Sequence, residues 1–133
     1  MTPTEVVERR RRVLLDNDAQ GFAGLFAADG VMEMPTAAPG APGRIAGLDA
    51  ITEFCRRTMP GVRVDALEHV AVHETGDPEV VIAETLTRAT LLATGQSFTT
   101  PSIQVFRVRD GRIALFRTYV APPTTQPAGE TAS

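Results

Sequence analysis

Apolar positions recur at three- and four-residue spacing near the start of the chain. Val6, Val7, Val13 and Leu14 mark one face of a helix running to about Asn17. Thr2-Pro3-Thr4-Glu5 supplies its start: Thr2 can cap, Pro3 suits the first helical position, and Glu5 stands where a capping box needs its acid. Phe22, Leu25 and Phe26 repeat the spacing, so a second helix is expected from Asp18 until Asp29-Gly30 ends it. A short strand, Val31 to Met34, closes at Pro35 and meets a stiff loop rich in proline and glycine. A third helix is expected from Asp49, burying Ile51, Phe54 and Cys55, with Pro60-Gly61 as its stop.

Beyond residue 61 the period changes to two. Val62 to Thr75 reads as one strand with room for a bulge, and Gly76-Asp77-Pro78 as a turn. Glu79 to Ala93 is a long strand, and Thr94-Gly95-Gln96 turns it into Ser97 to Arg109. Asp110-Gly111 then makes a tight hairpin with Arg112 to Val120. Helices first and an antiparallel meander after them indicate an α+β fold with helices on one face of a curved sheet. Several strands are apolar on both faces, as with Ile103 and Val105 against Phe106 and Val108. A solvent-facing sheet alternates more cleanly, so a second subunit is expected to cover the far face as a homodimer. One domain is expected over 1–121, with the Pro/Thr/Ala-rich residues 122–133 as a disordered tail.

Composition narrows the function classes. The chain has 133 residues, 43% hydrophobic and 22% charged, with a net charge of −3. Those values suit one globular core and give no bulk attraction to nucleic acid. The basic run Arg9 to Arg12 winds around its helix and reads mostly as solvated surface. One cysteine, Cys55, forms no internal disulfide, and with only His69 and His73 beside it no metal site and no cofactor are expected. The N-terminal residues lack an apolar signal core and nothing approaches a membrane span, so no membrane partner and a cytoplasmic address are expected.

Arg10 is the residue that departs most from its surroundings. It lies three or four positions from each of Val6, Val7, Val13 and Leu14, in the middle of the apolar stripe. A buried guanidinium requires compensation. Either an internal acid pairs with it (Glu33 or Glu84), or it snorkels to the rim, or it is aimed into a pocket for a ligand oxygen. Gln104 sits mid-strand and can donate to a ligand, or serve as an interface amide. His69 and His73 are assigned to one strand face; either can act as a base or lie at the surface. Tyr119 is a donor at the mouth or a packed aromatic, and Glu84, if it faces inward, an acid or base. Cys55 reads as a small core residue. Phe22, Phe26, Met34, Phe54, Cys55, Met59, Phe106 and Phe116 are the apolar lining expected of a core or of a ligand pocket.

The order of elements, with "VVERRRRVLLDNDAQGFAGLFAADGVMEMP", "GLDAITEFCRR" and "VFRVRDGRIALFRTYV", resembles the SnoaL-like and ketosteroid-isomerase-like branch of the NTF2-like superfamily. The likeness implies a cone-shaped α+β barrel, with three N-terminal helices packed on a curved, mostly antiparallel sheet, open at one end to an apolar pocket and usually dimeric. The loop over 35–47 would then flank the pocket mouth; otherwise it is a stiff connector. The isomerases of this branch use a base Asp, a Tyr and a protonated Asp, a case that already illustrates how burial keeps a carboxylic acid neutral. By the resemblance those positions fall on Met34, Arg10 and Gln104, so the isomerase base is absent. The function implied is binding of a small hydrophobic compound bearing a carbonyl or carboxylate. If the protein is an enzyme, isomerisation, cyclisation or epoxide opening without metal is implied. The alternative is a noncatalytic dimeric interaction or ligand-binding module.

Overall fold

A computed structural model of the chain describes residues 1–126. Helix α1 spans Pro3–Leu15 and opens on a complete capping box. The Glu5 amide donates to Thr2 Oγ1 at 3.2 Å, and the Thr2 amide donates to Glu5 Oε1 at 3.1 Å. A cap of this kind contributes about 1 kcal/mol. Helix α2 is Ala19–Ala23, capped by the Asp18 side chain, and α3 is Leu48–Thr58, continued by a 3-10 turn at Met59–Gly61. Gly47 starts α3 at φ 94°, a left-handed conformation that explains glycine at this junction.

Seven strands form one sheet: β1 Phe26–Glu33, β2 Arg44–Ala46, β3 Val62–Glu74, β4 Val80–Leu91, β5 Ser97–Arg109, β6 Arg112–Val120 and β7 Thr124–Gln126. Their order is β2-β1-β6-β5-β4-β3, with β7 joining β5 at Ser97–Thr99, beyond the stretch that β6 covers. Among the described residues only β1 and β6 run parallel. The sheet is mixed, curved and unclosed. Val6, Val7 and Val13 of α1, Phe22 of α2 and Ile51 and Cys55 of α3 join Met32, Val81, Phe106, Val108, Ile113 and Phe116 in one core. The helices therefore share the sheet's inner side.

The structure corrects the sequence reading in three places. The second helix stops at Ala23, and Phe26 already belongs to β1. Its capping residue Gly24 leads into Leu25, whose carbonyl accepts from the Ile113 amide at 2.8 Å, so the sheet captures the chain. Phe22, Leu25 and Phe26 are all buried, and helical spacing alone does not separate a helix from a helix-to-strand passage. Gly30 follows where the backbones crowd: a Cβ there would lie 2.9 Å from the Ile113 carbonyl oxygen. The proline- and glycine-rich loop contains a strand, β2, which returns along β1 with Met32 opposite Ile45. Finally, residues 124–126 of the expected tail are strand; 127–133 lie outside the described residues.

Candidate functional site

The α1 stripe carries Arg10 into the interior, where it is 1% exposed, while Arg9 and Arg12 are exposed. Its Nη2 donates to Gln104 Oε1, and its Cζ lies 5.3 Å from the Phe106 ring centroid and 5.8 Å from that of Phe116. Those distances fall within cation–π range. Arginine only donates, so its contact fixes the amide oxygen of Gln104 toward α1. The amide nitrogen turns the other way and donates to Thr118 Oγ1 at 3.3 Å on β6. Arg10 Nε is buried with no partner among the described residues.

Among the described residues no carboxylate lies within 4 Å of this guanidinium. Both acids expected as its partner are engaged elsewhere. Glu33 accepts from Arg117 Nε at 2.9 Å, and Glu84 meets His73 Nε2 at 2.6 Å on the outer side of the sheet. Burial without a counter-charge pushes the Arg10 pKa down to about 9. It is still a cation at neutral pH. A buried cation that lacks an anion is costly for a folded interior even when it is hydrogen-bonded.

Further polar residues share this inner side. Thr85 on β4 and Ser102 on β5 face each other with hydroxyls 2.6 Å apart, and both are buried. His69 on β3 stands opposite Thr85. Its side chain is 14% exposed, its Nε2 is buried with no partner among the described residues, and its Nδ1 lies 3.7 Å from Glu8 Oε2 on α1. Burial holds the His69 pKa below the usual imidazole value, Arg10 and Arg11 reinforce the effect, and Glu8 opposes it. Thr85, Thr118 and Glu8 escape the sequence reading. The signal for the two threonines is the alternation that places a hydroxyl beside Gln104 or Ser102 on neighbouring strands.

The two histidines do not share a face. The β3–β4 register shifts between His69 and Ala71, so the alternation reverses there. His69 faces inward, whereas His73 is 54% exposed and pairs with Glu84, itself 45% exposed. Glu84 is therefore no interior acid. Tyr119, 41% exposed, is on the outer side with Ile103, its cross-strand partner. Both line an outer groove of about 420 Å3 with Val70 and Leu86. A second groove, about 560 Å3, runs between α1 and β3 past Glu8, Arg11, Leu15 and Leu67 to His69.

The expected apolar lining is tightly packed. Phe26, Cys55, Phe106 and Phe116 are buried, and Met34, Phe54 and Met59 pack against them partly exposed. Phe22 meets Phe26 and Phe116 edge-on, with centroids 5.5 and 5.7 Å apart, and Phe106 approaches Phe116 at 5.1 Å. Burial raises the Cys55 thiol to about 11, which leaves it an inert core residue. No group of three or more His, Cys, Asp or Glu side chains among the described residues is placed to hold a metal, and no helix there is long and apolar enough to cross a membrane.

Comparison with known proteins agrees with this architecture. The family model described as a SnoaL-like domain matches residues 7–116. An uncharacterised PhzA/B-like protein of Pseudomonas aeruginosa is 32% identical over 122 residues, covering 92% of this chain and 86% of that protein. A Bacillus subtilis crystal structure, provisionally assigned as an isomerase, aligns with a TM-score of 0.84 at 28% identity, over 90% of this chain and 86% of that one. A computationally designed 17-OHP binder aligns with a TM-score of 0.82 at 18% identity, over 95% of this chain and all 100% of its own, a likeness of fold alone.

Proposed function

Because the chain belongs to the SnoaL-like domain family, we propose that it holds a small, largely apolar molecule in a cone-shaped interior and grips it by an oxygen. One observation carries this reading: among the described residues the fully buried Arg10 guanidinium has no carboxylate partner and keeps Nε–H unused. A ligand carbonyl, enolate or carboxylate oxygen supplies what that donor lacks, and in a dry site the charge-assisted bond is strong. Gln104, tethered by Thr118, holds the guanidinium, while Phe106 and Phe116 flank it and supply apolar contact. A designed neighbour of the same fold is made to bind 17-OHP, which is in keeping with a small, largely apolar ligand. With Met34 at the position of the isomerase base, turnover by that route has no proton acceptor; isomerisation, cyclisation or epoxide opening needs another group.

The test is a fluorescence titration with 2-naphthoate, an aromatic carboxylate. Arg10→Ala is expected to weaken binding by about tenfold or more, since one charged hydrogen bond is worth about 1.5–3 kcal/mol. Unchanged affinity in a variant with a native circular dichroism spectrum overturns the proposal.

The assembly proposed is a homodimer through the outer sheet face. Val70, Ile103 and Tyr119 are 62%, 48% and 41% exposed there, side by side with Leu86. Contiguous apolar exposure of that kind marks an interface more often than free surface. Sedimentation at micromolar concentration is expected to give twice the chain mass, and Ile103→Lys to halve it; a monomeric wild-type protein counts against the dimer. A cytoplasmic location goes with this reading of a single domain.

A further inference from the structure

The outer sheet face sets an ion pair among its apolar side chains. His73 Nε2 on β3 lies 2.6 Å from Glu84 Oε2 on β4, and both side chains are about half exposed. Glu84 stands directly across from Ile103 on β5 and lines the same outer groove, with Val70, Leu86 and Tyr119. His73 stands across from Ile82. A second copy that covers Ile103 therefore also covers Glu84 and takes its carboxylate out of water. A lone carboxylate resists that transfer strongly, and one neutralised by an adjacent cation resists it far less.

The other charged and titratable groups on this side follow from the alternation of each strand. They are Glu68 on β3, Arg88 on β4, Arg107 on β5, and Arg117 and Tyr119 on β6. Arg63 and Asp65 pair with one another at the far end of β3, at 2.8 Å. Arg107 is held by Asp77 and Glu79 at 3.0 Å each, and Arg117 by Glu33 at 2.9 Å. Hydrogen bonds to those carboxylates raise the pKa of both arginines, so they stay charged. Glu74, beside His73 in the chain, alternates to the other side, and His69 faces inward toward Glu8. Among the described residues, His73 is thus the imidazole of this face. An imidazole is the side chain whose charge ordinarily changes between about pH 5 and 8.

We propose that the His73–Glu84 pair makes the association of two copies across the outer sheet face proton-linked. This rests on the reading of that face as the homodimer interface. While the imidazole carries its proton, each subunit brings a pair without net charge to the contact. Once the proton leaves, each brings an uncompensated carboxylate against the apolar side chains of the other copy. The dimer therefore holds these protons more tightly than two separate subunits do, and association weakens as pH rises through the imidazole range. A two-fold interface contains the pair twice, which steepens the dependence.

Sedimentation equilibrium of the full chain, at one ionic strength and at about pH 6 and about pH 8.5, brackets that range and measures the dimer dissociation constant. The wild-type constant is expected to be about tenfold or more larger at the higher pH, as a single pKa unit of linkage requires. His73→Gln should lose this dependence and associate weakly at both pH values, because Glu84 is then always unpaired. Glu84→Gln should reverse the sign: without the carboxylate, the protonated imidazole is the group that resists burial, and association is tighter at the higher pH. A general effect of net charge would move all three proteins in one direction. A wild-type dimer whose constant does not change with pH, or a Glu84→Gln variant that follows wild type, overturns the linkage and leaves the interface standing. Wild type that is monomeric at both pH values overturns the interface, and the linkage with it.

Discussion

Arg10→Met should make the ligand-free protein more stable, by about 1–3 kcal/mol, while abolishing the carboxylate binding expected of wild type. The side chain lies 1% exposed with one hydrogen bond to a neutral amide and no anion among the described residues. Desolvation is therefore only partly compensated, by that bond and the flanking rings, and methionine fills a similar volume without it. The gain is partly offset because Gln104 Oε1 loses its donor, a cost of about 1 kcal/mol or more. Urea denaturation of both proteins measures the difference; a variant less stable than wild type would mean that Arg10 serves the fold and not a ligand. The pH dependence gives an independent reading. The native pKa, near 9, lies below that of a free guanidinium, so above about pH 9 the native state releases a proton that the unfolded state keeps. Stability relative to Arg10→Met should then rise with pH, approaching about 1.4 kcal/mol per pH unit; below pH 9 the full penalty is present. The thirteen Lys and Arg residues of this chain are all arginine, so no lysine titration obscures that window.

Phe106→Ala should cost about 3–5 kcal/mol, the largest loss expected of any truncation near the site. Phe106 is 0% exposed, stacks edge-to-face near Phe116 at 5.1 Å, and faces Arg10 at 5.3 Å. Alanine leaves a void of roughly one ring beside a cation. If water enters, the guanidinium regains solvation and the alkaline rise in stability shifts upward from pH 9; a dry void keeps it in place. A loss below about 1 kcal/mol would show that the core collapses around the missing ring, contrary to the close packing of four phenylalanines.

Helix α1 was legible to its cap because a capping box and a 3.6-residue stripe are local properties, and the same wheel located Arg10. Strands β5 and β6 were legible because Asp110-Gly111 forces a tight turn, with φ 52° and 75°. The early end of α2 was hidden, since Phe22, Leu25 and Phe26 point inward in either conformation. Strand β2 was hidden too, because three residues become a strand only beside β1.

The site divides in the same way. From the sequence alone came the inward direction of Arg10, a consequence of spacing along one element, whereas the family resemblance, not spacing, set Met34 at the isomerase base position. The partner of Arg10 did not: Gln104 is 94 positions away, while the suspected acids Glu33 and Glu84 were drawn to Arg117 and His73 on the outer side. Nor did the separation of His69 from His73, which one bulge in β3 produces by reversing the alternation. Periodicity records which face a residue occupies, because each backbone conformation has its own repeat. Which groups meet across that face depends on strand register and bulges, and these are settled only when distant segments pair.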